Sequence, residues 1–126
     1  MANKNTEKLY IGWCDDGAVD GMFAESLVNT IIKLREALPI TGFARAQGIQ
    51  IAKQRQGMIN AWLDSDIDWM LLVDSDVALT PELVLGLWET AHVNNLKVLS
   101  GVYYTLWVPE ATPIPVPVPA VFSYTE

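Results

Sequence analysis

The stretch Trp69-Met70-Leu71-Leu72-Val73-Asp74-Ser75-Asp76 decides the fold. Five large apolar residues, without alternation, run into an acid, a serine and a second acid. A short continuous apolar run predicts a strand buried on both faces, as in a parallel sheet flanked by helices. The acids then fall where the strand leaves the sheet, the edge at which open α/β sheets gather their ligands. In extended backbone, residues two apart point to the same side, so Asp74 and Asp76 are expected to aim both carboxylates at one point, with Cα atoms about 6–7 Å apart. Like charges that close repel unless a cation sits between them. A hard divalent ion, Mg²⁺ or Mn²⁺, suits two carboxylates, completing its shell with water and phosphate. The plainer alternative is a polar turn closing the strand, with Asp76 or Thr80 capping the next helix.

Outward from this stretch, the chain reads as alternating strands and helices. Leu9 to Cys14 predicts a first strand, closed by the turn residues Asp15-Asp16-Gly17. A helix follows from about Met22 to Ala37, with the stripe Phe23, Leu27, Ile31 and Leu34, and Pro39 stops it. Ile40 to Ala44 reads as a short second strand and Arg45 to Gly48 as a loop. A second helix runs from about Ile49 to Leu63, with Ile51, Ala52, Met58, Ile59 and Trp62 as its apolar stripe. Arg55 falls on that stripe, where a guanidinium needs a carboxylate or a phosphate. Across the turn at 64–68, Arg55 lies about 12 Å back along the helix and Asp74 roughly 20 Å along the strand. A slanting helix and a long side chain bring the two within reach, and the alternative is an arginine snorkelling to the helix edge. Thr80-Pro81-Glu82 opens a third helix, ending near Val93 before Asn94-Asn95, with His92 as a C-terminal helper. Lys97 to Tyr103 reads as a further strand. Beyond Trp107, Pro109, Pro113, Pro115, Pro117 and Pro119 exclude helix and central strand, leaving an extended segment for an edge or a neighbouring subunit.

Composition narrows the function classes. The chain has 126 residues, 51% hydrophobic and 10% aromatic, with a net charge of −7. That is one globular α/β domain over 1–107 with a proline-rich extension over 108–126, three-layered around a mostly parallel sheet. The acidic balance argues against nucleic acid and anionic membranes as partners. An anionic small ligand then needs a metal or a local arginine. The single cysteine, Cys14, excludes an internal disulfide and a cysteine-based zinc site, and fits a reducing compartment. Met1 to Lys8 is polar and charged, unlike a signal peptide, and no apolar run approaches the ~20 residues of a membrane span.

The order of elements, with Arg55 on the second helix, Asp74-Ser75-Asp76 after the buried strand, the Pro81 helix start and Ser100-Gly101-Val102-Tyr103-Tyr104, resembles the nucleotide-sugar-binding half of GT-A-fold glycosyltransferases, particularly small phage and bacterial ones. The likeness covers most of Tyr10 to Tyr104, and Leu71 to Asp76 is its most specific part. It implies a minimal GT-A fold in which Asp74 and Asp76 hold Mn²⁺ or Mg²⁺ against the diphosphate of a nucleotide-sugar, with UDP as the family's habitual nucleotide. It further implies that Trp13, Cys14 and Asp15 lie near the nucleoside, that Arg45 helps enclose the base, and that Arg55 supports the donor site. Ser75 then faces the ribose, and Gly101 and Tyr103 lie near sugar or acceptor. The family often has asparagine after its arginine, where this chain has Gln56. Its further C-terminal elements, which supply the acceptor pocket and a catalytic base, have no counterpart in the proline-rich stretch. No catalytic residue or acceptor is therefore assigned, and a homodimer is expected to cover exposed sheet edges. The expected location is the cytoplasm, that of the host if the protein is viral.

Three other readings compete. A non-catalytic nucleotide-sugar-binding or assembly module differs only by the absent base. A response-regulator receiver domain fits the length and the pair Asp15-Asp16, but Lys97 stands at the wrong end of its strand. A haloacid-dehalogenase-type phosphatase also starts from Asp-x-Asp, but needs a downstream lysine and acid pair, and here only Lys97 and no acid pair follow.

Overall fold

A computed structural model of the chain describes residues 7–101, 104–107 and 116–119. Its elements are β1 (Leu9–Asp15), α1 (Gly21–Leu34), β2 (Ile40–Gln47), α2 (Ile51–Leu63), β3 (Trp69–Asp74), α3 (Pro81–Val93), β4 (Tyr104–Trp107) and β5 (Val116–Pro119). The chain divides into two compact units, Met1–Gly86 and Leu87–Glu126.

In the first unit, three strands form an open parallel sheet in the order β2-β1-β3. The α/β class expected from the sequence is therefore observed. One crossover steps from β1 outward to β2, and the next steps back over β1 to β3. Right-handed crossovers in opposite directions put their helices on opposite faces. The side chains agree. Phe23 of α1 meets Trp13 edge-on at 5.8 Å, on the face of Leu9, Ile11, Trp13 and Asp15. On the other face a Cβ at Gly12 falls 2.6 Å from Met58 Sδ of α2 and 2.9 Å from Met70 Sδ. A side chain at position 12 would require both thioethers to move aside.

The core lies on the α1 side. Leu9, Ile11, Phe23, Leu27 and Leu34 are buried there, as the helical stripe predicts. Thr30 joins them, fully buried, and its hydroxyl has no hydrogen-bond partner. An unpaired buried hydroxyl costs more than the isosteric methyl. Thr30→Val is therefore expected to stabilise the chain by about 1 kcal/mol, read from urea unfolding. A loss of stability on substitution overturns the assignment of Thr30 as unpartnered.

Four expectations need correction. The strand buried on both faces is β1, with Ile11 at 0% exposure, and not β3, whose Leu72 is 42% exposed. Five apolar residues do not make a strand central; β3 stands at the edge of its sheet. Arg45, Ala46 and Gln47 are not loop. They continue β2 and pair with Trp13, Cys14 and Asp15. The stripe assigned to α2 is largely outside, with Met58 its one buried residue and Ile51 at 51% exposure. Lys97 to Gly101 is not strand, and Val98 is 89% exposed.

In α3, Val84, Trp88 and Ala91 are buried at helical spacing. The His92 ring lies on Trp88 at 4.1 Å and its Nδ1–H donates to the Trp88 carbonyl, a local role near the helix end. In the second unit, β4 and β5 pair antiparallel, Tyr104 opposite Pro119 and Trp107 opposite Val116. Pro117 and Pro119 thus sit in a two-stranded ribbon, where each strand is an edge. Among the described residues no helix is long and apolar enough to cross a membrane.

Candidate functional site

The carboxyl ends of β1, β2 and β3 carry two acid–arginine pairs, one on each face of the sheet. Strand parity decides which. Asp15 and Arg45 are near neighbours on the α1 face. Cys14 and Asp74 are direct cross-strand partners on the α2 face.

The first pair is closed. Asp15 has a fully buried side chain, and both its oxygens are engaged. Oδ1 accepts from Arg45 Nη2 at 2.6 Å and from the Gly17 amide at 2.8 Å. Oδ2 accepts from Arg45 Nε at 2.6 Å and Trp13 Nε1 at 3.0 Å. The fork of the guanidinium matches the carboxylate, the strongest form of this contact. The Arg45 hydrogen bond holds the Asp15 carboxyl down at about 2, against burial that opposes it, and Gly17 and Trp13 add to the effect. The Trp13 ring sits between Phe23 at 5.8 Å and Phe43 at 6.1 Å. Gly17 turns the chain with φ 128°, a conformation that favours glycine. Asp15, Arg45 and Trp13 come together here, with both oxygens of the acid already engaged by its partners.

The second pair is open. Arg55 Nη2 donates to Asp74 Oδ1 at 2.5 Å, and the two side chains are 45% and 47% exposed. The arginine therefore reaches the strand end, as the distances along helix and strand allowed. It does so from a wet helix face rather than a buried one. Cys14 lies beside them. Burial pushes its thiol up, Asp74 and Asp15 add to that, and Arg55 opposes it. A raised thiol is a poor nucleophile.

Asp76 does not lie on the same side of a strand as Asp74. The strand ends at Asp74, and the Val77 amide donates back to the Asp74 carbonyl at 3.1 Å, closing a turn over Ser75 and Asp76. The extended geometry expected for Asp-x-Asp stops one residue too early. The turn is tied down elsewhere: the Asp20 amide donates to the Ser75 carbonyl at 3.2 Å, and the Asp20 side chain caps α1 through the Met22 amide at 2.9 Å. Asp76 does not cap α3; Thr80 does, its Oγ1 accepting from the Leu83 amide at 3.1 Å. Asp76 is left exposed. Among the described residues no three of His, Cys, Asp and Glu converge.

Gly101 belongs to the second unit, with the Ser100 hydroxyl donating to its carbonyl at 3.0 Å. Tyr103 lies outside the described residues. A cleft of about 790 Å³ opens between β2 and α2, floored by Tyr10, Ala44 and Ala46 and walled by Gly57, Met58 and Trp62. Neither Asp74 nor Asp76 lines it. Arg45 does. Sequence reasoning missed this cleft, because small residues spaced along a strand and a helix leave no apolar signature.

Comparison with protein-family models, with curated proteins and with solved structures finds no match for this chain.

Proposed function

We propose that the chain binds a nucleoside diphosphate sugar, UDP-linked by preference, through a divalent cation at Asp74 and Asp76, and transfers or hydrolyses the sugar. The reading rests on one observation. An exposed two-carboxylate turn follows a parallel strand at the carboxyl edge of the sheet, with an arginine already reaching it. The donor set fits Mg²⁺ or Mn²⁺. It is all oxygen, it is accessible, and two acids are what such ions take from a protein when phosphate and water supply the rest. Bound there, the ion supplies Lewis-acid stabilisation of the charge that gathers on the departing diphosphate. Arg55 contributes a permanent positive charge to the same region. Ser75 offers a hydroxyl, and Arg45 a half-exposed cation held in one orientation by Asp15. A GT-A-like donor half is the reading that uses these parts together, working in a reducing compartment such as the cytoplasm, with a homodimer covering the open sheet edges.

A donor-binding module without catalysis is the second reading. It is favoured by Asp15, the carboxylate nearest the sheet's centre, which has its oxygens saturated and cannot serve as a base. The same fact counts against a receiver domain, which needs the acid pair after β1 free beside the acid after β3.

Calorimetric titration of UDP and UDP-glucose, with and without Mn²⁺, tests the reading. UDP is expected to bind only with metal, and Asp76→Ala to weaken it at least about tenfold. Release of free glucose then separates an enzyme from a module. Absence of nucleotide binding under every metal condition overturns the proposal.

A further inference from the structure

The cleft between β2 and α2 has a cause in the sequence. Strand parity puts Gly42, Ala44 and Ala46 on the α2 face, where they pair with Tyr10, Gly12 and Cys14. Small residues at three alternate positions give the helix nothing to pack against. The Tyr10 ring lies over Gly42, where a Cβ would fall 2.6 Å from its Cζ. On the helix side Gly57 leaves the wall bare, since a Cβ built there meets nothing within 4 Å. The space left is about 790 Å³, inside the range of roughly 300–1,000 Å³ that small-molecule sites occupy.

The lining has an apolar part and a polar part. Tyr10, Met58, Trp62 and Met70 supply aromatic and thioether surface. The Trp62 indole N–H donates to the Ile67 carbonyl at 2.8 Å, which holds the ring as a fixed wall. Such surfaces suit an aromatic body. Gly48, Gln50, Lys53 and Gln54 supply the polar part, at the start of α2. The N-cap residue Gln50 makes no side-chain cap hydrogen bond, and the first turn holds no acid, so the positive end of the helix stands uncompensated. Lys53 is exposed, with no salt-bridge partner among the described residues. Gln54 Nε2 is buried over Gly48 without a hydrogen-bond partner. A buried unpaired amide is costly, and an oxygen lodged beside it relieves that cost. Arg45 borders the cleft, but its guanidinium is engaged by Asp15. No aspartate or glutamate lines the cleft, in a chain whose net charge is −7.

We propose that this cleft binds a small organic anion, with an aromatic body against Tyr10, Met58 and Trp62 and a carboxylate or phosphate head at the first turn of α2, beside Lys53 and Gln54. The apolar body supplies most of the attraction, and the few polar groups fix orientation and sign. The site makes no use of Asp74 or Asp76, neither of which lines it.

Amide NMR spectra of the native chain, titrated with naphthoate, naphthyl phosphate and the neutral naphthylmethanol, test the proposal. Both anions are expected to shift the amides of cleft residues within 44–62, and the alcohol to bind several-fold more weakly. The tighter of the two anions distinguishes a carboxylate ligand from a phosphate one. Gly57→Leu is expected to lose the shifts. Its side chain enters open space and replaces a poor helix former, so the variant should melt no lower than the native chain. Lys53→Glu is expected to weaken both anions on the order of tenfold and to leave the alcohol unchanged. Three results overturn the proposal: neither anion shifts these amides at millimolar concentration, the alcohol binds as tightly as the anions, or Gly57→Leu binds them like the native chain. The donor-site reading outlives all three, because UDP titration with Mn²⁺ addresses Asp74 and Asp76 instead.

Discussion

Phe23→Ala is expected to cost about 3–5 kcal/mol of folding stability, the range for deleting a buried aromatic ring. Phe23 is 1% exposed and stands in the first turn of α1. It joins that helix to the central strand, meeting Trp13 edge-on with an interplanar angle of 62°. Loss of the ring removes apolar burial and leaves a void that a close-packed core does not readily fill, Ile11 on the same sheet face being already fully buried. Domains of this size are stable by only about 5–15 kcal/mol, so the variant should sit near its unfolding transition at 37 °C. The effect should also reach the site. Trp13 is oriented on one side by Phe23, and on the other donates its indole N–H to Asp15. A Trp13 ring free to tilt loosens one of the donors on that carboxylate. Urea unfolding followed by circular dichroism measures the cost. A loss below about 1 kcal/mol would mean the helix re-seats and the Phe23–Trp13 contact is not what fixes α1.

The stripe that holds Phe23, Leu27 and Leu34 is legible because helical period is a local property of sequence. So is the start of α3, where Thr80, Pro81 and Glu82 each obey a rule about helix ends. The meeting of Arg55 with Asp74 is also within reach of arithmetic, since helix, turn and strand are consecutive and their rises are known. What fails is non-local. Whether Trp69 to Val73 is a central or an edge strand depends on which other strands flank it, and the run itself carries no record of that. The glycine of β1 is the better clue to centrality, because side chains of α2 and β3 close over Gly12. Arg45 reads as loop for the same reason. Its membership of β2 comes from pairing with Trp13, more than thirty residues earlier in the chain. The turn at Ser75 escapes the sequence because Asp-x-Asp is equally compatible with an extended exit and a tight one. The tie from Asp20 to Ser75 favours the tight one here, and nothing adjacent in sequence announces it.

Stability below pH 4 should report the closed pair directly. Asp15 has its carboxyl lowered to about 2 in the folded chain, from an ordinary 3.8. A group depressed on folding stabilises the native state above its unfolded value and loses that contribution as pH falls through the folded value. The window therefore runs from about 3.8 down to about 2, with the native state more stable at the upper end. Asp66 is lowered as well, by its hydrogen bond from Lys8, so the acid limb of the native chain alone is composite. Comparison with Asp15→Asn removes that ambiguity. The variant keeps the shape of the side chain and part of its hydrogen bonding but not the charge on which Arg45 closes. At neutral pH it should be the less stable of the two. Across the window the native chain should converge on it, since a protonated Asp15 is as neutral as the amide that replaces it. Thermal melts of both proteins from pH 6 to pH 2 give the difference directly. A gap that stays constant across that range would mean Asp15 is not the depressed acid, and that Arg45 is not what closes it. Convergence would have a functional corollary. The ends of β1 and β2 meet through this pair and through the Gly48 amide on the Asp15 carbonyl at 3.0 Å. Acid should then loosen the edge where Arg45 stands before it unfolds the sheet beneath.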